Sequence, residues 1–171
     1  MKEYTAYSDG SADNLNPSRP GGAAYIIFNE DGSEFKRKSK GFLNTSNNRM
    51  EILAIISIVN SLPHGASVTI HSDSQYSINV LSSRWQASSN LDQIALYRKL
   101  VSEKNIKVQF IWVKGHNGNQ YNELCDQMAR AEYSKMLEQH NTKRSKQSLP
   151  SETYSCITTK GRRKPVKRRK K

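Results

Sequence analysis

Four acidic residues lie at positions from which carboxylates can converge on one point. Asp9 and Asp73 each follow a short β-favouring run. Glu51 lies in the first turn of a mostly apolar helical segment, and Asp126 lies in the last helical segment. Carboxylates that meet without basic partners raise one another's pKa, and divalent cations relieve that repulsion. Because no Cys or His cluster accompanies them, they favour Mg²⁺ or Mn²⁺ over Zn²⁺, and the matching chemistry is two-metal phosphoryl transfer.

Each acid taken alone also has a structural interpretation. Asp9 before a glycine is compatible with a turn, and Asp73 before a serine is compatible with a helix N-cap. Glu51 can complement a helix dipole, and Asp126 can lie on a solvated helix face. The catalytic interpretation therefore depends on a fold that brings the four together.

The hydrophobic pattern predicts five strands and four helices in the order β-β-β-α-β-α-α-β-α. The predicted strands are residues 4–8, 23–29, 35–42, 68–72 and 106–113. The predicted helices run from a cap at Asn47 or Asn48 to about residue 62, from 74 to 81, from 91 to 103 and from 121 to 138. This order predicts an α/β fold with a mixed five-stranded sheet and helices on both faces. The first strand would lie centrally with the fourth parallel beside it, so Asp9 and Asp73 would be neighbours.

The charge of the chain is unevenly distributed. The formal net charge is +12, from 27 Lys and Arg against 15 Asp and Glu. Residues 1–140 hold fifteen basic and fourteen acidic residues, whereas residues 141–171 hold twelve basic residues and one acid. We therefore predict a domain at 1–140 and a basic, disordered tail at 141–171. Such a tail is typical of segments that bind polyanions.

Composition excludes several classes of protein. No apolar stretch is long enough for a transmembrane helix, and the N-terminus carries no apolar signal region. Cys125 and Cys156 cannot form a disulfide framework, and no CxxC pair is present for zinc. We therefore expect no membrane partner, a cytoplasmic location and, by default, a monomer. A nuclear location is the alternative in a eukaryotic host, because the end of the tail fits a nuclear localisation signal.

Four motifs, in this order and spacing, resemble those of type 1 ribonuclease H over about residues 4–135. They are YSDGS at 7–11, NNRME at 47–51, HSDSQY at 71–76 and WVKGHNGN at 112–119 followed by NELCD at 122–126. The resemblance implies the element order given above. It also implies endonucleolytic cleavage of the RNA strand of an RNA–DNA hybrid with two Mg²⁺ ions, leaving 3′-hydroxyl and 5′-phosphate ends.

The resemblance also implies a role for each catalytic residue. Asp9 would bridge both ions. Glu51 and Asp73 would hold the ion on the leaving-group side, and Asp126 would hold the ion that carries the nucleophilic water. His116 matches the histidine of a mobile loop, where an imidazole assists proton transfer or product release.

Five polar residues match substrate contacts of the family. Asn16, Asn47 and Gln75 match residues that contact the hybrid, and amides can hydrogen-bond the 2′-hydroxyls that distinguish RNA from DNA. Asn122 matches a further position near the substrate. Ser46 falls where a hydroxyl helps to hold a phosphate of the DNA strand. Arg49 has two open interpretations, a substrate contact or a surface ion pair.

Two segments depart from the family pattern. The loop at 10–21 is about one residue longer than the commonest form, and residues 82–92 contain a single cation, Arg84, where many members carry a basic protrusion. We expect the basic tail to supply the missing electrostatic contact with nucleic acid. A nuclear localisation signal, another polyanion or improved solubility are the alternatives for the tail.

Three other functions remain open at this level. The first is a non-catalytic nucleic-acid-binding module of the same fold. The second is another member of the wider nuclease superfamily, such as a Holliday-junction resolvase or an integrase. The third is the nuclease part of a reverse transcriptase. The complete set of four acids favours an active, hybrid-specific ribonuclease.

Overall fold

The computed structural model of the chain describes residues 1–147 and contains one mixed sheet of five strands. The strand order is β3-β2-β1-β4-β5, in which β1 pairs antiparallel with β2 and parallel with β4. The strands are β1 (Glu3–Ala12), β2 (Gly21–Asn29), β3 (Glu34–Phe42), β4 (Ser67–Ser72) and β5 (Lys107–Trp112). The predicted mixed sheet, with its first strand at the centre, is confirmed.

Four helices cover the two faces of the sheet. They are α1 (Asn47–Ser61), α2 (Gln75–Leu81), α3 (Leu91–Lys104) and α4 (Gln120–Gln147). Helix α1 packs on β1 and β2 with α2 and α3 beside it, whereas α4 packs across β1, β2 and β3 on the opposite face. The predicted element order is confirmed. Among residues 1–147, no helix combines the length and the hydropathy that a membrane span requires.

Helix α1 forms the centre of the hydrophobic core. Its apolar residues surround most of the helix, and Ile52, Ile55, Ile58 and Val59 are completely buried. Each such side chain stabilises the fold by about 1.5–3 kcal/mol relative to an exposed position. The helix therefore has little freedom to shift, and its first turn holds a fixed place beside β1.

Helix α4 lies unusually close to the sheet at β2. A Cβ atom at Gly22 would collide with the carbonyl group of Ala129, so glycine permits this approach. Cys125 and Ala129 are fully buried against Ala24 and Ile26 of β2. Cys125 is a free thiol, and its Sγ donates to the carbonyl oxygen of Tyr7 at 3.4 Å. The neighbouring Asp126 is thereby fixed at the edge of this face.

Two helix boundaries differ from those that the sequence predicts. Ser46, and not Asn47 or Asn48, caps α1, because its hydroxyl accepts a hydrogen bond from the Arg49 backbone N–H at 3.3 Å. Helix α4 continues to Gln147, so residues 141–147, which we assigned to the tail, are helical. This stretch lacks Pro and Gly, and its basic residues favour a helix C-terminus. The prediction for residues 148–171 lies outside the described residues.

Candidate active site

The parallel pairing of β1 with β4 places two of the predicted acids at one edge of the sheet. The parallel pairing ends where Tyr7 lies opposite His71, although β1 itself continues along β2 to Ala12. Asp9 therefore lies inside β1, not at its end as the sequence predicts, two residues beyond this pair, and Asp73 lies at the same level just after β4. The carboxyl edge of a parallel strand pair is the usual position for such a site in α/β folds.

Glu51 reaches the same point because α1 crosses β1 at very close range. A Cβ atom at Gly10 would collide with the backbone of Met50 and Glu51, so any other residue would push the helix away. Glycine at this position lets the first turn of α1 rest directly on the strand. The Glu51 carboxylate is therefore delivered beside Asp9.

Asp9, Glu51 and Asp73 form a compact carboxylate cluster. One oxygen of each lies within 4.8 Å of the others. Asp9 and Glu51 are each only 4% exposed, and Asp9 Oδ1 accepts a hydrogen bond from the Gly10 backbone N–H at 2.8 Å. Glu51 Oε2 is buried without a hydrogen-bond partner in the described part of the chain. A buried, unpartnered carboxylate oxygen is costly, and a hard divalent cation would satisfy it.

The electrostatics of this cluster also fit a cation. Burial and the nearby charge of Asp73 raise the pKa of Asp9 from 3.8 to about 7. Burial and the charge of Asp9 raise the pKa of Glu51 well above its usual range. Full ionisation near neutral pH is therefore unfavourable unless a positive charge joins the cluster.

Asp126 lies in the same cleft but not in the same tight cluster. The cleft has a volume of about 340 Å³, and its lining includes Asp126, His116 and the three clustered acids. Asp126 Oδ1 accepts a hydrogen bond from Arg130 Nε at 3.0 Å, one helical turn further along α4. Thus the structure brings together all five residues that we predicted to be catalytic.

The comparisons with known proteins agree with this geometry. The family model for RNase H matches residues 1–134 of the chain. The chain belongs to the RNase H family. It is a nuclease of the family that hydrolyses the RNA strand of RNA–DNA hybrids. The resolvase and integrase alternatives are therefore set aside.

Curated relatives match this RNase H over most of their length. A ribonuclease H of Treponema denticola is 36% identical over 157 residues, which cover 77% of this chain and 97% of the relative. A ribonuclease HI of Helicobacter pylori is 35% identical and covers 80% of this chain and 97% of the relative. The N-terminal RNase H domain of a Mycobacterium tuberculosis protein has a TM-score of 0.70 at 17% identity, covering 82% of this chain and 99% of that one. That structural likeness supports the fold.

Asp73 of this RNase H is held in place by two residues from the α4 side of the cleft. Trp112 Nε1 donates to the Asp73 backbone oxygen at 3.2 Å, and Asn122 Nδ2 donates to Asp73 Oδ2 at 3.4 Å. Asn122 is only 2% exposed, and its Oδ1 has no partner among the described residues. The predicted substrate contact Asn122 therefore lies beneath Asp73, where it can orient that carboxylate.

His116 lies on the exposed loop that joins β5 to α4. Its backbone has a φ of +54°, and Gly118 follows with +78°. A left-handed conformation is unfavourable for a residue with a Cβ atom, and here it accompanies a side chain that lines the carboxylate cleft. An exposed imidazole at the rim of the cleft has room to move.

The remaining predicted contacts differ in how free they are to bind substrate. Asn47 lines the cleft, and its Oδ1 accepts from the Ala12 backbone N–H at 3.2 Å, which leaves its amide group to donate. Gln75 is exposed at the start of α2. Ser46 and Asn16 lie outside the cleft lining, and both have structural partners. Ser46 caps α1, and Asn16 Oδ1 accepts from the Ser18 backbone N–H and hydroxyl at 3.0 and 2.8 Å.

Arg49 is a member of a surface ion pair, which decides between its two interpretations. Its guanidinium donates to both carboxylate oxygens of Asp92, at 3.0 and 2.7 Å. This bidentate pair ties α1 to α3. Arg130, in contrast, lines the cleft beside Asp126 and was not among our candidates, although its i,i+4 spacing from Asp126 on a predicted helix was a usable signal.

Proposed function

We propose that this chain is an endoribonuclease that cuts the RNA strand of RNA–DNA hybrids with Mg²⁺, for which Mn²⁺ can substitute. The observation that carries the proposal is the buried carboxylate cluster, with its unpartnered Glu51 oxygen and raised pKa values. Asp9, Glu51 and Asp73, with Asp126 across the cleft, would hold two ions. Bound ions of this kind supply Lewis-acid activation of water and charge stabilisation at a phosphate.

The residues of the chain orient the site around that chemistry. Asp9 is central, because its carboxylate interacts with those of Glu51, Asp73 and Asp126. Asn122 and Trp112 fix Asp73, and Arg130 fixes the carboxylate of Asp126. Such preorganised supports avoid rearrangement during the reaction. We propose products with 3′-hydroxyl and 5′-phosphate ends.

His116 would act on protons at the rim of this site. Its imidazole is exposed on the loop between β5 and α4 and lines the carboxylate cleft. An imidazole can donate or accept a proton, so it can protonate the leaving 3′-oxygen or assist departure of the product.

Recognition of RNA would come from amide groups beside the cleft. Asn47 offers an amide donor at the lining, and Gln75 is exposed at the start of α2. Such groups can hydrogen-bond 2′-hydroxyls, which only the RNA strand carries. A solved RNase H1 bound to an RNA/DNA hybrid has a TM-score of 0.66 with this chain at 17% identity and supports the same class of substrate.

A cleavage assay with matched substrates tests this proposal. The full chain, stripped of metal by a chelator, is offered an RNA–DNA hybrid, a DNA duplex, an RNA duplex and a four-way junction. Addition of Mg²⁺ or Mn²⁺ should restore cutting of the hybrid alone, within the RNA strand. Metal-independent cutting, cutting of the junction or binding without cleavage would contradict it, and the last result would favour the non-catalytic module.

The basic tail has its own test. Residues 141–171 carry eleven of the twelve net positive charges, and residues 82–92 contain one cation. We propose that the tail contacts the nucleic-acid backbone. Ending the chain after Gln147, the last described residue of α4, removes eight of these eleven charges and should weaken hybrid binding at low salt and flatten its salt dependence. An unchanged KM and salt slope would exclude this role.

A further inference from the structure

Three lysines line up along the edge strand of the sheet, away from the residues described above. Lys36, Lys38 and Lys40 occupy alternate positions of β3, so their side chains share the face of the sheet that carries α1. We call them the lysine ladder. Within residues 1–147, no strand pairs with the outer side of β3. The ladder is therefore an accessible row of positive charge.

The charges of the lysine ladder are not neutralised by acids. Within residues 1–147, none of the three lysines forms an ion pair. Arg37, which points to the opposite face, shows the contrast, because it pairs with Glu34 at 2.6 Å. Lys40 Nζ lies 5.4 Å from the centre of the Phe42 ring, a contact that leaves its charge intact. The ladder thus keeps its whole charge for a ligand.

The ladder forms one wall of a groove whose other wall is polar. The groove has a volume of about 390 Å³ and lies between β3 and the second half of α1. Ser57, Asn60 and Ser61 line it from the helix, and its described lining includes no Asp or Glu. The Ser57 hydroxyl donates to the Leu53 carbonyl oxygen and the Ser61 hydroxyl shares a hydrogen bond with the Tyr25 hydroxyl, so the Asn60 amide is the donor that this wall offers to a phosphate oxygen.

A fourth cation strengthens the positive field at the far end of the groove. Lys104 Nζ donates to the carbonyl oxygens of Val59 and Asn60, at 3.1 and 2.7 Å. It thereby offsets the negative end of the α1 dipole. Partial burial lowers the pKa of Lys104, and the nearby charge of Lys36 lowers it further.

Strand register connects the ladder to the carboxylate cleft. Lys40 lies opposite Ala23 of β2, and Ala23 lies opposite Gly10, which lines the cleft. At about 4.8 Å between strands, Lys40 lies about 10 Å from the cleft across the sheet, and the ladder extends about 13 Å along β3, at a right angle to that direction. The far end of the ladder is therefore about 16 Å from the cleft, which corresponds to about five nucleotides at about 3.4 Å per nucleotide.

We propose that the lysine ladder binds the phosphate backbone of the hybrid where the duplex extends beyond the carboxylate cleft. This rests on the proposed function and adds a second contact for the same substrate. Charged edge strands also prevent strand pairing between molecules. That role needs charge only at the edge, whereas here the charges are aligned along a groove free of acids. Residues 148–171 are excluded as the occupant because that segment is itself strongly basic.

The test measures hybrid binding against salt for two charge-matched triple variants of the full chain. One variant is Lys36→Gln/Lys38→Gln/Lys40→Gln. Its control, Lys2→Gln/Lys99→Gln/Lys107→Gln, removes three exposed lysines elsewhere. Both are built on Asp9→Asn so that the substrate survives, and each is offered hybrids of about 8 and 20 base pairs. An Arg-substituted ladder serves as the charge-retaining rescue.

The ladder variant should bind the long hybrid at least tenfold more weakly at low salt. Its slope of log affinity against log salt should decrease by about 2, since each phosphate contact contributes about 0.7–0.9. The short hybrid extends only about 14 Å to either side when it is centred on the cleft and so reaches only part of the ladder; its binding should weaken less than that of the long hybrid. The Arg variant should recover both values. Circular dichroism and thermal unfolding of each variant check that the fold is intact.

Equal losses in the two triple variants would overturn the proposal, because total charge alone would explain them. Equal losses on short and long hybrids would also overturn it, since the contact would then not lie beyond the cleft. A ladder that binds inorganic phosphate but does not affect the hybrid would overturn it too. Failure of the unsubstituted chain to cut any hybrid would instead contradict the proposed function, and the binding comparison would still be readable.

Discussion

Asp9 and Asp92 are both aspartates within regular secondary structure, but their surroundings move their pKa in opposite directions. Asp9 is buried beside two further carboxylates, and burial together with the charge of Asp73 raises its pKa to about 7. Asp92 is exposed in the first turn of α3, and hydrogen bonds from Arg49 lower its pKa to about 2. The Asp9 cluster brings three carboxylates together without a basic partner, whereas Asp92 is neutralised by Arg49.

This difference in pKa distinguishes an acid with a structural role, Asp92, from an acid suited to binding a cation, Asp9. The Arg49–Asp92 pair is complete, and its energetic contribution at the surface is small. The carboxylate cluster is incomplete by itself, because Glu51 Oε2 has no partner and the pKa values oppose ionisation. Such a cluster is costly for folding and is useful only when a cation binds.

The largest expected effect comes from exchanging these two aspartates for asparagine. Asp9→Asn should lower kcat by at least about 10³-fold, since a lost ligand removes several kcal/mol of charge stabilisation from the reaction. Asp92→Asn is the matched control and should leave kcat within about twofold. Steady-state cleavage of a hybrid at saturating Mg²⁺ measures both. Comparable losses in the two variants would remove the distinction between the sites.

A smaller loss is expected from the rim of the cleft. His116→Ala should lower kcat by about 10²-fold with little change in KM, because the imidazole acts on protons and not on substrate affinity. His140, half-buried on α4 and outside the cleft lining, is the control position. A change confined to KM would contradict the role.

The support beneath Asp73 should have an intermediate effect that depends on metal. Asn122→Ala removes the amide that bonds Asp73 Oδ2, and loss of such an outer contact costs about 10–100-fold in metal affinity or activity. Activity should therefore be recovered in part at high Mg²⁺, whereas Asp9→Asn should not respond. Isothermal titration with Mg²⁺ gives an independent readout. A loss that no Mg²⁺ concentration corrects would indicate a role other than positioning.

The mildest effect concerns stability. Because the pKa of Asp9 is higher in the folded state than its usual 3.8, the native chain binds more protons than the unfolded chain between pH 3.8 and about 7. The contribution of Asp9 to stability therefore decreases as pH rises through that window when a chelator is present. Asp9→Asn/Glu51→Gln should flatten the decrease, and Mg²⁺ should reverse it in the unsubstituted chain. Thermal unfolding from pH 4 to 8 tests this; identical profiles for variant and parent would contradict it.

The fold followed closely from local patterns. Alternating apolar residues marked the strands, and the apolar surface of residues 50–59 marked a helix that had to be central. The boundaries were less accurate. Ser46 caps α1 in place of the two predicted asparagines, and α4 extends to Gln147. Helix ends depend on which of several neighbouring groups forms the capping hydrogen bond, and the hydrophobic pattern contains no information about that.

The sequence predicted which residues form the site, but not the distances and hydrogen bonds between them. The family motifs identified Asp9, Glu51, Asp73 and Asp126. Only the structure shows that carboxylate oxygens of the first three lie within 4.8 Å of one another. Only the structure shows that Asp126 accepts a hydrogen bond from Arg130. Asn122 was expected at the substrate and lies buried under Asp73. The hydrogen-bond partner of a polar side chain depends on which residues the fold brings close in space.

By itself, the sequence determined the order of elements, the family and the acids available for catalysis, because these depend on residue type and on spacing along the chain. Only the tertiary structure decided which charges are paired and which are left open. Gly10 lets α1 rest on β1, and that contact leaves Glu51 Oε2 buried without a partner. The same fold pairs Asp92 with Arg49 and leaves the lysine ladder unpaired. Charge compensation depends on distance in space, so the +12 of the composition acquires its meaning only after folding.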